Sequence, residues 1–311
     1  MGPHSASQGA PNAGRFAGGL VAAVLLAACE AASPNHQGPP AVPAAGRATV
    51  AASGAPTVAA VAVEEIIDGD TVRLRIGGAA ESVRLIGINT PERGECLSAE
   101  ATERLTELLD GRAITLEQDT SDRDRYGRLL RYVYADGELV NEALVESGLA
   151  IARRYEPDTA LADRLDTAQA RAQAAGAGQW AASACGPATI AQVEITDLVW
   201  DAPGDDGQNP NGEWVVIRNA GSGALDLAGW TVKDTSASHR YDFPDGFSLA
   251  AGGSVRLSTG CGTDSAEALH WCRQGSAVWN NDGDTAFVLD PSGNVVTTHT
   301  YGGGSVESSA G

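Results

Sequence analysis

Residues 61–93 have the sequence VAVEEIIDGDTVRLRIGGAAESVRLIGINTPER, in which three apolar-rich runs are separated by short polar turns. The runs 61–67, 71–76 and 82–88 predict three β-strands, because DGD and GGAAE, which lie between them, are both turn-forming sequences. The third run leads directly into a dense polar cluster, Asn89 to Arg93. A cluster of this kind at the end of a buried strand raises the question of what it binds.

The residues that follow complete the pattern of a small barrel. Ser98 is a predicted N-cap, apolar residues recur at helical spacing after it, and Gly111 ends the helix. Two further strands are predicted at 113–117 and 129–134, and two further helices at 137–148 and 159–175. Five strands with a helix between the third and fourth predict a mainly β fold, an OB-type barrel with three helices. This scaffold often binds nucleic acids or sugars.

The C-terminal part of the chain has the pattern of a β-sandwich. Short strand-like runs are separated by segments rich in turn-forming residues. The runs are 188–199, 213–219, 229–233, 254–258 and 285–289.

The N-terminus predicts export. Arg15 precedes an apolar run, FAGGLVAAVLLAAC at 16–29, which has the length of a signal-peptide core and is short for a membrane span. The end of this run, LAAC, resembles the lipobox of bacterial lipoproteins and predicts lipidation of Cys29; plain secretion after cleavage is the alternative. Residues 30–60, rich in Ala, Pro and Gly, predict a disordered linker. The predicted domains are then 61–187 and 188–304, with a tail at 305–311.

The four remaining cysteines fall into two pairs inside the two predicted domains. Export favours disulfides, so Cys96 is predicted to pair with Cys185, and Cys261 with Cys272. A metal site is the alternative, and the absence of any Cys-x-x-Cys spacing disfavours it.

The formal net charge is −19, which argues against a nucleic-acid coat protein with a broad basic surface. Any anionic substrate must therefore be met by a few local arginines or by a metal ion. A monomer is predicted.

Polar residues at the predicted strand ends suit phosphodiester hydrolysis. Asp70 begins the second strand, the cluster 89–92 ends the third, and Arg84 and Arg128 lie on the third and fifth. Carboxylate and amide oxygens can hold a hard cation, a carboxylate can take a proton from water, and arginines can bind phosphate. Each residue also has a simpler interpretation as a turn former or a solvated surface charge.

Four motifs resemble the staphylococcal-nuclease-like (thermonuclease) family in order and spacing: IIDGDTVRL, VRLIGINTPE, DRYGRLLRYVYADG and VNEALVESGLA, across residues 61–185. The resemblance implies an OB-fold nuclease that uses one calcium ion and cuts DNA and RNA to leave 3′-phosphates. By motif position, Asp70, Asn89 and the Thr90 carbonyl would bind calcium, and Glu92 would act as the general base. Arg84 and Arg128 would bind the phosphate, and Tyr155 would stack on a base of the substrate.

Asn89 departs from this family, whose best-studied members have an aspartate at that position. An amide oxygen still coordinates calcium, but the site loses one negative charge. We therefore expect retained activity with a raised calcium requirement.

The second predicted domain contains NPNGEWVVIRN, LAGWTVKD, YDFPDG and SAVWNNDGDTAFVLD, which resemble the lamin-tail domain, an immunoglobulin-like fold. The resemblance leaves the ligand of this domain open. The leading hypothesis is an exported, membrane-anchored or secreted calcium-dependent nuclease. The alternatives are a catalytically weakened nucleic-acid-binding protein and a cell-surface scaffold in which the lamin-tail domain has the main role.

Overall fold

The computed structural model of the chain describes residues 61–236, 238–273 and 277–302. All of them belong to one compact unit. The predicted signal with Cys29, the linker 30–60 and the tail 305–311 lie outside the described residues. No helix in the described part is both long and apolar enough to cross a membrane.

The first domain contains a curved sheet and three helices. The strands are β1 (Val61–Ile66), β2 (Thr71–Ile76), β3 (Ala79–Leu85), β4 (Ile88–Asn89), β5 (Ile114–Glu117), β6 (Leu129–Ala135), β7 (Glu138–Leu139) and β8 (Ile151–Ala152). The helices are α1 (Ser98–Leu109), α2 (Val140–Glu146) and α3 (Ala162–Ala175). The main sheet has the order β1-β2-β3-β6-β5, in which only β3 and β6 are parallel, and β1 and β5 also lie side by side. The predicted OB-type barrel with three helices is confirmed.

Buried apolar and exposed polar side chains alternate along the strands, and this alternation explains how the barrel forms its core. In β2, Val72 and Leu74 are fully buried, whereas Arg73 and Arg75 point to solvent. Apolar residues of the helices cover the open end of the barrel, so that one apolar cluster fills it. Its largest members are Leu74, Leu85, Leu105, Leu109, Tyr132, Leu144 and Leu165.

Several local predictions in the first domain were wrong. The strand β3 begins at Ala79, inside the predicted turn GGAAE, and the predicted helix 137–148 starts with the strand β7. The third strand ends at Leu85 rather than Ile88, because Gly87 adopts a φ of 76° and turns the chain before β4 pairs with β8. Ser98 is the first residue of α1 and not its N-cap. The N-cap residue is Leu97, whose backbone has the left-handed conformation with a φ of 65°. A hydrogen bond from Ser98 N to the Glu95 carbonyl closes the turn formed by residues 95–98.

The second domain is a sandwich of two four-stranded sheets, as predicted. The strands are β9 (Val193–Val199), β10 (Trp214–Asn219), β11 (Leu225–Asp226), β12 (Thr231–Lys233), β13 (Arg240–Asp242), β14 (Ser248–Leu249), β15 (Ser254–Ser258), β16 (Ala268–His270), β17 (Gly283–Leu289) and β18 (Val295–Gly302). The sheet orders are β16-β15-β10-β9 and β13-β12-β17-β18, and β11 pairs with β14. Trp230 and Trp279 are fully buried in the core between the sheets.

Both predicted disulfides are present, Cys96–Cys185 and Cys261–Cys272. A third apolar cluster joins the two domains: Ile151 of β8 packs against Phe287 and Leu289 of β17. Trp180 stacks on Phe287 with ring centroids 6.1 Å apart. The two domains therefore share a buried apolar contact.

Candidate active site

A cleft of about 760 Å³ lies at one end of the barrel. Of the predicted site residues, all but Thr90 line it: Asp70, Arg84, Asn89, Glu92, Arg128 and Tyr155. Thr90 is buried directly behind Asp70, to which its N–H donates at 3.0 Å. Residues separated by up to 85 positions in the sequence thus face one cavity.

Asp70 is fixed by the turn that precedes β2. Its Oδ1 accepts from the Thr71 hydroxyl at 3.1 Å, and its Oδ2 accepts from Thr90 N. Gly69 permits this approach, because a Cβ there would lie 2.7 Å from the Ala101 Cβ and 2.8 Å from the Thr90 hydroxyl. The neighbouring Asp68 also lines the cleft, and its pKa is raised by burial and then by the charge of Asp70.

Arg84 is the centre of an oxygen-rich group. Its Nη2 lies 2.9 Å from Asp70 Oδ2 and donates to Asn89 Oδ1 and the Ile88 carbonyl, each at 3.0 Å. Its Nη1 donates to the Leu85 carbonyl. The side chain is only 15% exposed. A carboxylate oxygen and an amide oxygen therefore converge on a single nitrogen.

The donor set suits a hard cation. Among residues 61–236, 238–273 and 277–302, no three His, Cys, Asp or Glu side chains are grouped to hold a metal ion. A metal here would rely on mixed oxygens, which are the ligands that calcium accepts: the Asp70 carboxylate, the Asn89 amide oxygen and the Thr90 carbonyl. The Asp70 and Asn89 oxygens converge on one cationic group, the Arg84 guanidinium, and are therefore both directed toward positive charge.

Glu92 lies across from this group with an exposed carboxylate. Partial burial raises its pKa, and the negative charges of Asp70, Asp68 and Glu95 raise it further. Its main-chain N–H donates to Glu95 Oε2 at 2.9 Å. A carboxylate with a raised pKa at the mouth of a cleft has the properties of a general base.

Arg128 is held by the turn DRYGR. Its Nε donates to Asp124 Oδ2 at 2.7 Å and its N–H to Asp124 Oδ1 at 3.0 Å, while Tyr126 N donates to the same Oδ1 at 2.9 Å. Gly127, with a φ of 82°, closes this turn. Arg128 Nη1 donates to the Thr71 hydroxyl at 3.5 Å, and the side chain is 31% exposed in the cleft.

Comparisons with known proteins agree with this geometry. Residues 82–182 match the family described as Staphylococcal nuclease homologue, and residues 187–303 match the Lamin Tail Domain. The thermonuclease of Staphylococcus hyicus is 36% identical over 117 residues, which cover 36% of this chain and 69% of that protein. The chain belongs to the staphylococcal nuclease family.

Two Bacillus subtilis proteins are also similar to the nuclease domain. Endonuclease YncB is 40% identical over 121 residues, 36% of this chain and 57% of that protein. The SPbeta prophage-derived endonuclease YokF is 37% identical over 128 residues, 39% of this chain and 43% of that protein. The chain thus spans about half the length of these two relatives. Its nuclease domain is followed by a lamin-tail domain.

The cleft of the nuclease domain is also lined by Arg125, Tyr126 and Arg153, which were not among the predicted site residues. The Tyr126 ring, 68% exposed, has the Arg125 guanidinium 4.8 Å from its centroid, and the Tyr155 ring, 64% exposed, has Arg153 at 5.6 Å. The adjacency of arginine and tyrosine in DRDRYGR and RRY is the sequence signal that could have identified them. Two exposed aromatic rings paired with cations therefore flank the cleft.

The lamin-tail domain also reaches this cleft, which the sequence did not indicate. Ser236 and Ser238 line it, and Asn89 Nδ2 donates to the Thr235 carbonyl at 3.1 Å. The nuclease cleft is therefore built from both domains.

Proposed function

We propose that the protein is an exported calcium-dependent nuclease that hydrolyses phosphodiester bonds of DNA and RNA with little sequence specificity and leaves 3′-phosphates. The observation that carries this proposal is the convergence of Asp70, Asn89, Arg84, Glu92 and Arg128 on one cleft. Family membership supports it, and so do relatives named as thermonuclease and endonuclease.

In this mechanism Glu92 takes a proton from a water molecule as the water oxygen attacks phosphorus. The bond from phosphorus to the 5′-oxygen breaks, the leaving oxygen takes a proton from a solvent water to become a 5′-hydroxyl, and Glu92 then releases its proton to solvent. Arg84 and Arg128 donate to the phosphate oxygens as their negative charge grows. Calcium, held by Asp70, Asn89 and the Thr90 carbonyl, supplies Lewis-acid polarisation of a phosphate oxygen.

Low sequence specificity follows from the aromatic side chains of the cleft. Tyr126 and Tyr155 present exposed rings, and stacking accepts any base. The cations beside them, Arg125 and Arg153, place positive charge along the same wall of a protein whose formal net charge is −19. Binding of nucleic acid therefore depends on a few local cations.

The test is an assay of plasmid DNA and RNA with millimolar calcium or excess chelator. We expect Glu92→Gln to lower kcat about 10²- to 10⁴-fold. Arg128→Ala should lower it too, while Arg104→Ala, which removes an exposed arginine of α1 paired with Glu107, serves as the control. End-group analysis should find 3′-phosphates. Full activity in chelator would contradict the calcium requirement, and binding without cleavage would favour the weakened, nucleic-acid-binding alternative.

We also propose that the mature protein is lipid-anchored through Cys29 or secreted. The two disulfides support an oxidising compartment outside the cytoplasm. Incorporation of labelled fatty acid into the wild type and not into Cys29→Ser would identify the anchor. Recovery of unlabelled wild-type protein from the medium would identify plain secretion.

A further inference from the structure

The contact between the two domains fixes the position of the lamin-tail domain beside the nuclease cleft. Phe287 and Leu289 bury Ile151 at its centre. At the edge of the contact, Asn294 Oδ1 accepts from Cys185 N at 2.8 Å, and Cys185 is tied by its disulfide to Cys96. Polar contacts that cross this boundary therefore join two fixed surfaces.

The first such contact is at Asn89. Its Nδ2 donates to the Thr235 carbonyl, in the loop between β12 and β13. Thr235 is itself held by buried Asp284, whose Oδ1 accepts from the Thr235 hydroxyl at 2.6 Å and from its N–H at 3.2 Å. The carbonyl that receives the Asn89 amide is thus anchored to the lamin-tail core.

The second contact acts on Glu92 through one intermediate. Arg240, the first residue of β13, pairs with Glu95 Oε1 at 3.2 Å. The other oxygen of the same carboxylate, Oε2, accepts the main-chain N–H of Glu92. Arg240 therefore orients Glu95, and Glu95 orients the main chain of Glu92.

These contacts also account for the amide at position 89. Asn89 accepts from Arg84 through Oδ1 and donates to Thr235 through Nδ2, so it uses both kinds of polar atom. A carboxylate has no proton to donate, and an aspartate would place a charged oxygen against the Thr235 carbonyl. The asparagine thus replaces a metal-binding charge with a bond to the neighbouring domain.

We propose that β12 and β13 of the lamin-tail domain, with the described residues 234–236 and 238–239 between them, form a positioning hairpin for the nuclease site. The hairpin holds the segment 89–95 at both ends, at Asn89 and at Glu95, and the Glu95 carboxylate in turn holds the main chain of Glu92. Asn89, Glu95 and Arg240 are positioning residues, with Asn89 serving also as a calcium ligand. The proposal rests on the nuclease function proposed above.

The test compares Arg240→Ala with Arg218→Ala in the full mature protein. Arg218 is the matched control, because it is an exposed lamin-tail arginine paired with Glu194 at 3.6 Å and does not contact the nuclease domain in the described contacts. We expect Arg240→Ala to speed hydrogen exchange of the Glu92 amide about 2- to 5-fold, because the variant loses the partly exposed ion pair that orients Glu95. We expect kcat to fall by about the same factor with KM unchanged, well within what misplacement of a catalytic group costs. Arg240→Lys, which keeps the charge opposite Glu95, should restore part of the exchange protection of the Glu92 amide and part of kcat.

Asn89→Asp tests the other end of the hairpin. The lost bond should speed amide exchange in residues 231–236, next to the Thr235 carbonyl, and the added charge should lower the calcium dissociation constant measured by calorimetry. Unchanged exchange in both variants, or faster exchange with unchanged kcat, would overturn the proposal. If the wild type cleaves no nucleic acid, the nuclease function fails, and exchange at Glu92 together with the calcium titration still decides whether the hairpin positions the segment.

Discussion

At the scale of single residues, the two domains keep polar groups in their interiors for different reasons. In the nuclease domain, buried Asp70 lines an open cleft, where its carboxylate oxygens contact Thr90 and Arg84. Glu213 of the lamin-tail domain is fully buried and accepts from Val278 N at 3.1 Å. Burial raises the pKa of Glu213 to about 7, which makes its ionisation a cost to the folded state.

Glu213 therefore predicts a pH dependence of lamin-tail stability. Its pKa is raised from 4.5 in the unfolded chain to about 7 in the folded one, so the folded state binds more protons between these values. The stability it confers is fully present below pH 4.5 and is lost as the pH rises through 7. The loss amounts to about 3 kcal/mol, because one pKa unit corresponds to about 1.4 kcal/mol.

Glu213→Gln, which cannot ionise, should reduce the fall in the free energy of unfolding between pH 5 and 8. Urea denaturation of wild type and variant at the two pH values measures the difference. Identical pH dependence in both proteins would show that Glu213 does not ionise in this range.

Gly69 gives a second prediction at this scale. A Cβ at Gly69 would collide with Ala101 and Thr90, so Gly69→Ala should lower the free energy of unfolding by roughly 1–3 kcal/mol. The movement of Thr90 that relieves this collision should also displace Asp70 and weaken calcium binding. Gly223→Ala is the control, because no atom lies within 4 Å of its added Cβ. Thermal unfolding and calcium titration measure the two effects, and equal melting temperatures for both variants would contradict the collision.

At the scale of elements, the sequence located most strands of the barrel and all three helices, because alternation and helical spacing are local signals. It placed the end of the third strand too late, since Leu85, Ile86 and Ile88 form one apolar run across the Gly87 turn. The partner of β4 is β8, about 60 residues later, and that pairing leaves no local signal. The site residues were located through the motifs, whereas the contact of Thr235 with Asn89 depends on how two domains pack.

The junction of α2 with the barrel carries the prediction at this scale. Asn141 is fully buried; its Oδ1 accepts from Val133 N at 3.0 Å and its Nδ2 donates to the Ile86 carbonyl at 2.8 Å. Asn141→Ala leaves both main-chain groups without these partners and should cost about 2–4 kcal/mol. Chemical denaturation measures this loss, with the exposed Glu103→Ala as control. If Asn141→Ala loses no more stability than Glu103→Ala within experimental error, water replaces the Asn141 amide as the hydrogen-bond partner.

At the scale of the whole molecule, two domains with separate cores share the cluster around Phe287. The disulfide Cys96–Cys185 ties the segment before α1 to the end of the nuclease domain, beside Asn294 of the lamin-tail domain. The two domains were predictable from their separate motifs. The contact between the two domains could not be predicted from the sequence. Its apolar residues in β17 fit the pattern of a buried strand equally well if they lie in the core of the lamin-tail domain.

Phe287 provides the test of this coupling. Phe287→Ala removes the ring that stacks on Trp180 and packs against Ile151, a truncation that typically costs about 3–5 kcal/mol. If the shared cluster couples the domains, this variant should unfold in two separate calorimetric transitions, while the wild type unfolds in one. Leu257→Ala, which truncates a buried side chain of β15 in the other sheet of the sandwich, should destabilise the lamin-tail domain and leave the coupling intact. Hydrogen exchange of each domain identifies which transition belongs to which. A single transition in both variants would contradict this role of the apolar cluster. The polar contacts at Asn89 and Arg240 would then be sufficient to couple the two domains, because they alone would hold the lamin-tail hairpin on the nuclease site.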